Sequence, residues 1–302
     1  MWFWLSIIAL LCWSGSDLFS KIGCRDGRDH YAHLKMVIAV GAVMGLHAAY
    51  EIFVGGAQIS PSIMLTYLPV SALYILSMTI GYVGLRYIEL SISSPICNSS
   101  GALVAVLCLI TGGLHAVNRW QLVAVTFVCL GVVGLGVVEA HEDDDLRAAR
   151  QSASNYKYAK SVVALVLPVI YCLLDALGTF ADSLVLRKLN EDSANVAYEL
   201  TFLICAVVCF IYVVLIKKDR LIPKMEAPKY VGALCETAGQ FAYIYAIGDE
   251  KHVMLAAPII SAYCVASVIW SRIFLKEKLS AKHYAAIATV VVGIVILGIF
   301  DA

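Results

Sequence analysis

In Ser93-Ser-Pro-Ile-Cys-Asn-Ser-Ser100 and again in Ala256-Ala-Pro-Ile-Ile-Ser-Ala-Tyr263, a Pro-Ile pair interrupts a long apolar run at an equivalent place. A proline inside a helix removes one backbone hydrogen bond and exposes a carbonyl that a neighbouring helix or water must satisfy. Upstream, the spacing of Gly and Tyr also repeats, in Gly81-Tyr-Val-Gly-Leu-Arg-Tyr87 and Gly239-Gln-Phe-Ala-Tyr-Ile-Tyr245, although the stretch from there to the proline is longer the second time. Earlier still, Asp17-Leu-Phe-Ser-Lys21 and Asp182-Ser-Leu-Val-Leu-Arg-Lys188 each close a run with an acid and then a base. Three matches in one order predict an internal duplication.

The runs themselves are membrane-length. The chain is 61% hydrophobic and 15% charged, with a mean hydropathy of +0.83, whereas soluble domains carry roughly 25% charged residues. Ten apolar segments, near 2–20, 36–54, 63–85, 91–111, 120–138, 162–185, 195–216, 230–248, 253–274 and 284–300, can each cross a hydrocarbon core about 30 Å thick. The first continues through Trp13 and Asp17 without a basic leader, so it reads as a span and not a signal peptide. The longest polar stretch, His141–Lys160, reads as a solvated linker. The expected fold is therefore all-α and integral to the membrane, with ten transmembrane helices in two five-helix repeats, 1–140 and 161–302, joined by the 141–160 linker. An odd number of spans per repeat forces the two copies into opposite orientations, the inverted-repeat plan that places a substrate near the midplane between them.

Net charge is zero, but 18 of the 22 Lys and Arg fall in the loops after segments 1, 3, 5, 7 and 9, counting Arg272 at the end of segment 9. The positive-inside rule makes those loops cytoplasmic and both termini external. The ten cysteines are scattered without CxxC or Cys/His metal spacing and read as apolar fillers; no cofactor and no metal is expected.

The ending Ser271-Arg-Ile-Phe-Leu-Lys-Glu277-Lys-Leu-Ser280, followed by His283-Tyr-Ala-Ala-Ile-Ala-Thr-Val-Val-Val-Gly293, resembles that of EamA-type transporters of the drug/metabolite transporter superfamily. So do the five-plus-five duplication and the Trp13-Ser-Gly-Ser start leading to Lys21. The resemblance implies a multi-pass transporter of the cell membrane working on a small molecule. It departs in the first repeat, where Thr111-Gly-Gly-Leu-His-Ala has no acid at the position of Glu277. It also departs in orientation, since several branches of the superfamily are described with cytosolic termini. Small multidrug resistance proteins of the same superfamily use a carboxylate of the first helix for proton and cation, and Asp17 is similar to it in location.

Six acids, Asp17, Glu51, Asp175, Asp182, Glu199 and Glu236, lie in or at the ends of spans. A carboxylate at such depth costs roughly 2.5 kcal/mol or more and marks a functional position. Helical spacing puts Tyr171, Asp175, Gly178 and Asp182 on one face, and Glu236, Gly239, Gln240 and Tyr243 on another. Trp13 and Asp17 share a third; Asn98 and Ser261 each follow their proline by three residues. The expected substrate site is Trp13, Asn98, Tyr171, Asp175, Glu236, Gln240, Tyr243 and Ser261, with Asp17, Asp175 and Glu236 coupling proton or cation and Pro95 and Pro258 breaking helices. Asp175 and Glu236, mid-span, are the strongest members. Asp17 has the alternative of pairing with Lys21, Asp182 with Arg187 or Lys188, and Glu51 and Glu199 of standing at the interface. Gly41, Gly45, Gly131, Gly134 and Gly136 read as close helix-packing points.

Carboxylates with aromatic rings suit an organic cation or amine, because a ring attracts a cation by about 0.5 to 2 kcal/mol. A neutral amino acid or mixed metabolite suits less well and would leave the carboxylates to carry protons. An anion is disfavoured, with no Arg or Lys deep in a span, and no nucleic-acid partner is expected. No GxxxxGK[ST] is present, so ATP is not the driver. The close acid pair Asp175 and Asp182 shares one helix, whereas an intramembrane aspartyl protease sets its acids on two, so a transporter is expected and not an enzyme or a scaffold.

Overall fold

The computed structural model describes residues 1–26, 29–87, 90–112, 119–141, 162–248, 251–276 and 280–300. The linker after His141 and Glu277 lie outside them. The described residues are helical: α1 (Trp2–Cys24), α2 (Ala32–Tyr50), α3 (Pro61–Tyr87), α4 (Leu90–Asn98), α5 (Ser100–Gly112), α6 (Arg119–Ala140), α7 (Val162–Val185), α8 (Glu191–Phe210), α9 (Pro223–Gly248), α10 (Val253–Ser261), α11 (Tyr263–Trp270) and α12 (Ala281–Phe300). Wider π-helical turns extend α2 through Glu51–Gly55, α8 through Ile211–Ile216 and α11 through Ser271–Leu275.

Seven stretches among the described residues are long and apolar enough to cross a membrane: Trp2–Cys24, Ala32–Gly55, Pro61–Arg86, Ser93–Thr111, Val166–Val185, Glu191–Ile216 and Val253–Leu275. Arg119–Gly134 and Ala281–Ile296 are apolar but shorter, and α9 carries Lys224, Glu226, Lys229 and Glu236 along its length. Polarity is distributed as in a membrane protein. Leu46, Phe53, Leu65, Ile110, Leu130 and Leu215 stand exposed on the outside, while Ser6, Ser14, Ser71, Ser267, Asp182 and Glu199 are sealed inside.

The broken spans sit where the sequence placed the prolines. α4 gives way to α5 at Ser99 and α10 to α11 at Ala262, each four residues beyond its proline. Asn190 caps α8 by accepting from Ser193 N–H at 2.8 Å, and Ser193 donates to Gln58 O at 2.7 Å, tying the first turn of α8 to the α2–α3 connection at one end of the bundle.

The most extensive helix pairs are α1 with α9, α2 with α8, α3 with α7 and α6 with α12, followed by α2 with α9 and α5 with α10. Small residues permit them. A Cβ on Gly41 would lie 2.7 Å from Phe202 O and against the Ala206 methyl, and one on Gly131 would lie 2.9 Å from Ala286 O. Gly45 is held as tightly by Leu203, whereas Gly134 has open space beside it. Replacing Gly41 by Val should therefore force α2 from α8 and lower stability by about 2 kcal/mol. Gly134→Ala should be neutral or slightly stabilising. Thermal melting of the purified variants distinguishes the two, and equal melting points would contradict this packing.

Candidate functional site

One cavity collects the polar faces of the broken and unbroken spans. Trp13 and Asp17 enter it from α1, Asn98 from α4, Tyr171 and Asp175 from α7, Glu236, Gln240 and Tyr243 from α9, and Ser261 from α10. These are the residues that helical spacing singled out. They are joined by Tyr74 and Tyr82 of α3, Tyr198 of α8 and Tyr263 of α11, which sequence reasoning missed. Gly81, one residue before Tyr82, was in the matched Gly/Tyr spacing and was the available signal for that face.

Three carboxylates face this space, and serines orient two of them. Asp17 Oδ2 accepts from Ser94 Oγ at 2.5 Å and from Ser267 Oγ at 2.7 Å. One oxygen of α1 is thereby held by a hydroxyl from each broken span. Asn98 in turn donates to Ser94 O at 2.8 Å and so fixes the turn that presents Ser94. Asp175 Oδ2 accepts from Ser100 Oγ at 2.7 Å, at the first residue of α5. Glu236 is almost fully buried beside Ser16. No ion pair to any of the three is found among the described residues.

Aromatic rings close the cavity. Trp13 lies 5.0 Å from Tyr243 and 5.9 Å from Tyr263, centroid to centroid. The Tyr74 ring lies against Gly178, and Gly239 gives room to the Trp13 ring. Four polar atoms of cavity-lining residues are buried without a protein partner among the described residues: Trp13 Nε1, Ser20 Oγ, Tyr82 Oη and Gln240 Nε2. Unmet donors in a dry site cost about 1–3 kcal/mol each, so a ligand or water has bonds to make there. No group of His, Cys, Asp and Glu arranged to hold a metal occurs among the described residues.

Asp182 and Asp17 depart from the local pairings open to them in the sequence. Asp182 bonds neither Arg187 nor Lys188; it is completely enclosed and accepts from Tyr67 Oη at 2.7 Å and Tyr74 Oη at 3.4 Å. Asp17 turns to serines while Lys21 donates to Leu85 O at 2.8 Å. Glu199 is buried against His47 Nδ1 at 2.8 Å and Asn195 Nδ2 at 3.1 Å. Glu51 stays partly exposed, 3.6 Å from His47 Nε2. Helical spacing predicts which residues share a face, but the partner on another helix is set by packing that spacing does not contain.

A solved crystal structure is similar to this chain with a TM-score of 0.66, covering 99% of this chain and 96% of its own at 14% identity, a likeness of fold. No curated protein matches the chain. Residues 162–299 match the model of the EamA-like transporter family, so the second half of the chain is similar to this family.

Proposed function

We propose that this protein is a secondary transporter that carries a small organic cation or amine by alternating access, proton-linked or facilitative. The observation that supports it is three carboxylates, Asp17, Asp175 and Glu236, converging with Trp13, Tyr171 and Tyr243 on one cavity, with no cation paired to them among the described residues. In a low-dielectric site an unbalanced set of anions attracts a positive guest, and aromatic faces add to that attraction.

The architecture of this reading is ten spans in two inverted repeats, 1–140 and 161–302. The helix pairs support it: the first helix of one half packs on the third of the other, and the third on the first, in α1 with α9 and α3 with α7. The second, fourth and fifth pair with their own counterparts, as a two-fold axis between the halves requires. The two breaks, each four residues past its proline, face each other across α5 and α10, where a Cβ on Gly101 would lie 2.8 Å from Ala257 O. An odd-membered repeat of this kind lets one half rock against the other around a midplane site.

A second reading, a neutral or zwitterionic amino acid, is favoured by the unpartnered donors Trp13 Nε1 and Gln240 Nε2, which suit carboxylate or carbonyl oxygens. A thermal-shift screen of the detergent-purified protein against tetraethylammonium, aliphatic amines, amino acids, nucleosides and sugars decides between them. A ligand at a hundred times its Kd stabilises the folded state by about 2.7 kcal/mol. Amines alone should raise the melting point; stabilisation by amino acids alone would establish the second reading, and by sugars or nucleosides alone would overturn both.

A further inference from the structure

Asp182 is a deep carboxylate that the cavity does not use. It is fully enclosed, it does not line the cavity, and its partners are phenol hydroxyls. Tyr67 gives it a short, direct bond. Tyr74 is different. Its single hydroxyl proton has three acceptors in reach: Asp182 Oδ2 at 3.4 Å, Thr179 Oγ1 at 3.2 Å and the hydroxyl of Tyr243, to which it lies closest. Tyr74 and Tyr243 both line the cavity. A continuous line of hydroxyls thus runs from the cavity wall to an acid outside it.

That acid lies towards one end of the bundle. Asp182 is within one turn of the end of α7 at Val185, and Tyr67 is within two turns of the start of α3 at Pro61. The Ser193 bond to Gln58 O ties the first turn of α8 to the α2–α3 connection at that same end. Lys21, bonded to Leu85 O, marks the other end of α3.

The groups that face Asp182 settle what it can bind. α3 presents Tyr67 and Tyr74, α8 presents Tyr198 behind Tyr74 at 6.0 Å between centroids, and α9 presents Tyr243. Its own helix carries Asp175 two turns away, and α4 and α5 meet α7 with Cys97 and Ser100 near Asp175. Among the described residues these are hydroxyls, a thiol and another acid, with no cation. Burying a carboxylate anion without a cation costs several kcal/mol unless it is neutralised, and the neutralising group that fits a closed cage of phenols is a proton.

We propose that Asp182 is a proton-binding site separate from the substrate carboxylates and linked to the cavity through Tyr243 and Tyr74. In the loading step Tyr74 gives its proton to Asp182, Tyr243 gives its own to Tyr74, and Tyr243 is reprotonated from the cavity. Each O–H bond broken is matched by one formed, so one proton moves and every tyrosine ends neutral. Protonated Asp182 has an O–H to donate, so at least one of its tyrosine bonds must reverse or turn away. Occupancy by a proton is thereby felt on α3 and α9, which both wall the cavity. The link to substrate movement rests on the transport reading above; the binding of the proton does not.

Infrared titration of the purified protein without any substrate tests it. The wild type should show a protonated-carboxyl stretch that rises as pH falls and that is absent in Asp182→Asn. Tyr67→Phe, which keeps the acid and the helix packing but removes a direct hydrogen bond, should move that band to a new frequency and guards against misfolding of the first variant. An unchanged spectrum in Asp182→Asn, or a band insensitive to Tyr67→Phe, overturns the proposal. If the protein neither binds nor moves organic cations while the infrared result holds, the substrate reading fails and the proton site stands. Tetraethylammonium transport without proton movement in an intact proton site would instead overturn the link between them.

Discussion

Glu236→Gln is expected to lower binding and uptake of an organic cation about a hundredfold while leaving the melting point near that of the wild type. The side chain keeps its shape and loses its charge. Losing a buried charge opposite a desolvated cation costs about 3 kcal/mol or more, and about 1.4 kcal/mol is a factor of ten. Stability should be spared because no ion pair to Glu236 exists among the described residues. Proteoliposomes holding labelled tetraethylammonium allow exchange and pH-driven accumulation to be measured side by side. Loss of both is the expected result. If a neutral substrate travelled with a proton carried on Glu236, exchange would survive and accumulation alone would vanish. Wild-type values in both assays would make Glu236 a structural residue and remove it from the site.

Lys229→Met is expected to give the largest loss of stability among single changes outside the cavity, about 3 kcal/mol. Lys229 is completely buried, 3.3 Å from Asp29 Oδ2 and 3.0 Å from Glu226 Oε2, with its Cγ 2.6 Å from where a Cβ of Gly23 would stand. Lys35 completes the network at 3.0 Å from Asp29, 3.8 Å from Glu226 and 3.4 Å from Asp219, and donates to Arg220 O at 3.1 Å. Removing one cation leaves two sealed anions sharing the other. Lys229→Met combined with Glu226→Gln leaves Lys35 paired with Asp29 and Asp219, and should recover much of the loss. Thermal melting of the single and double variants measures this directly, and an undiminished melting point for Lys229→Met would contradict the buried network.

How far this molecule is legible in its sequence depends on the range of the contact concerned. Trp13, Asp17, Tyr171, Asp175, Glu236 and Tyr243 are brought to one cavity because polar residues at helical spacing have to avoid lipid, and that rule is local. The prolines likewise announced both broken spans. Asp182 with Tyr67 and Glu199 with His47 were not legible, because each pair is more than 100 residues apart in sequence and helical spacing gives no register between helices. Ser94 and Ser267 were missed for a related reason: a serine in a membrane helix commonly bonds its own backbone, as Ser6 does to Trp2 O, and only the packed bundle shows which serines turn outwards. Lys35 and Lys229 were counted as loop charges, and both are enclosed. The count of spans also blurs at α9, where the enclosed pair Glu226 and Lys229 weakens the hydropathy without being exposed.

The enclosure of Lys35 and Lys229 gives these two residues different roles at two moments in the life of the chain. While the segments enter the bilayer no tertiary partner exists, and an orienting machinery that weighs Lys and Arg heavily but Asp and Glu lightly registers both lysines at full strength. When α2 and α9 come together, Asp29 and Glu226, nearly invisible during insertion, cancel them. Folding thus neutralises charges that stand bare on the nascent chain, and this end of the mature bundle is less positive than its sequence reads.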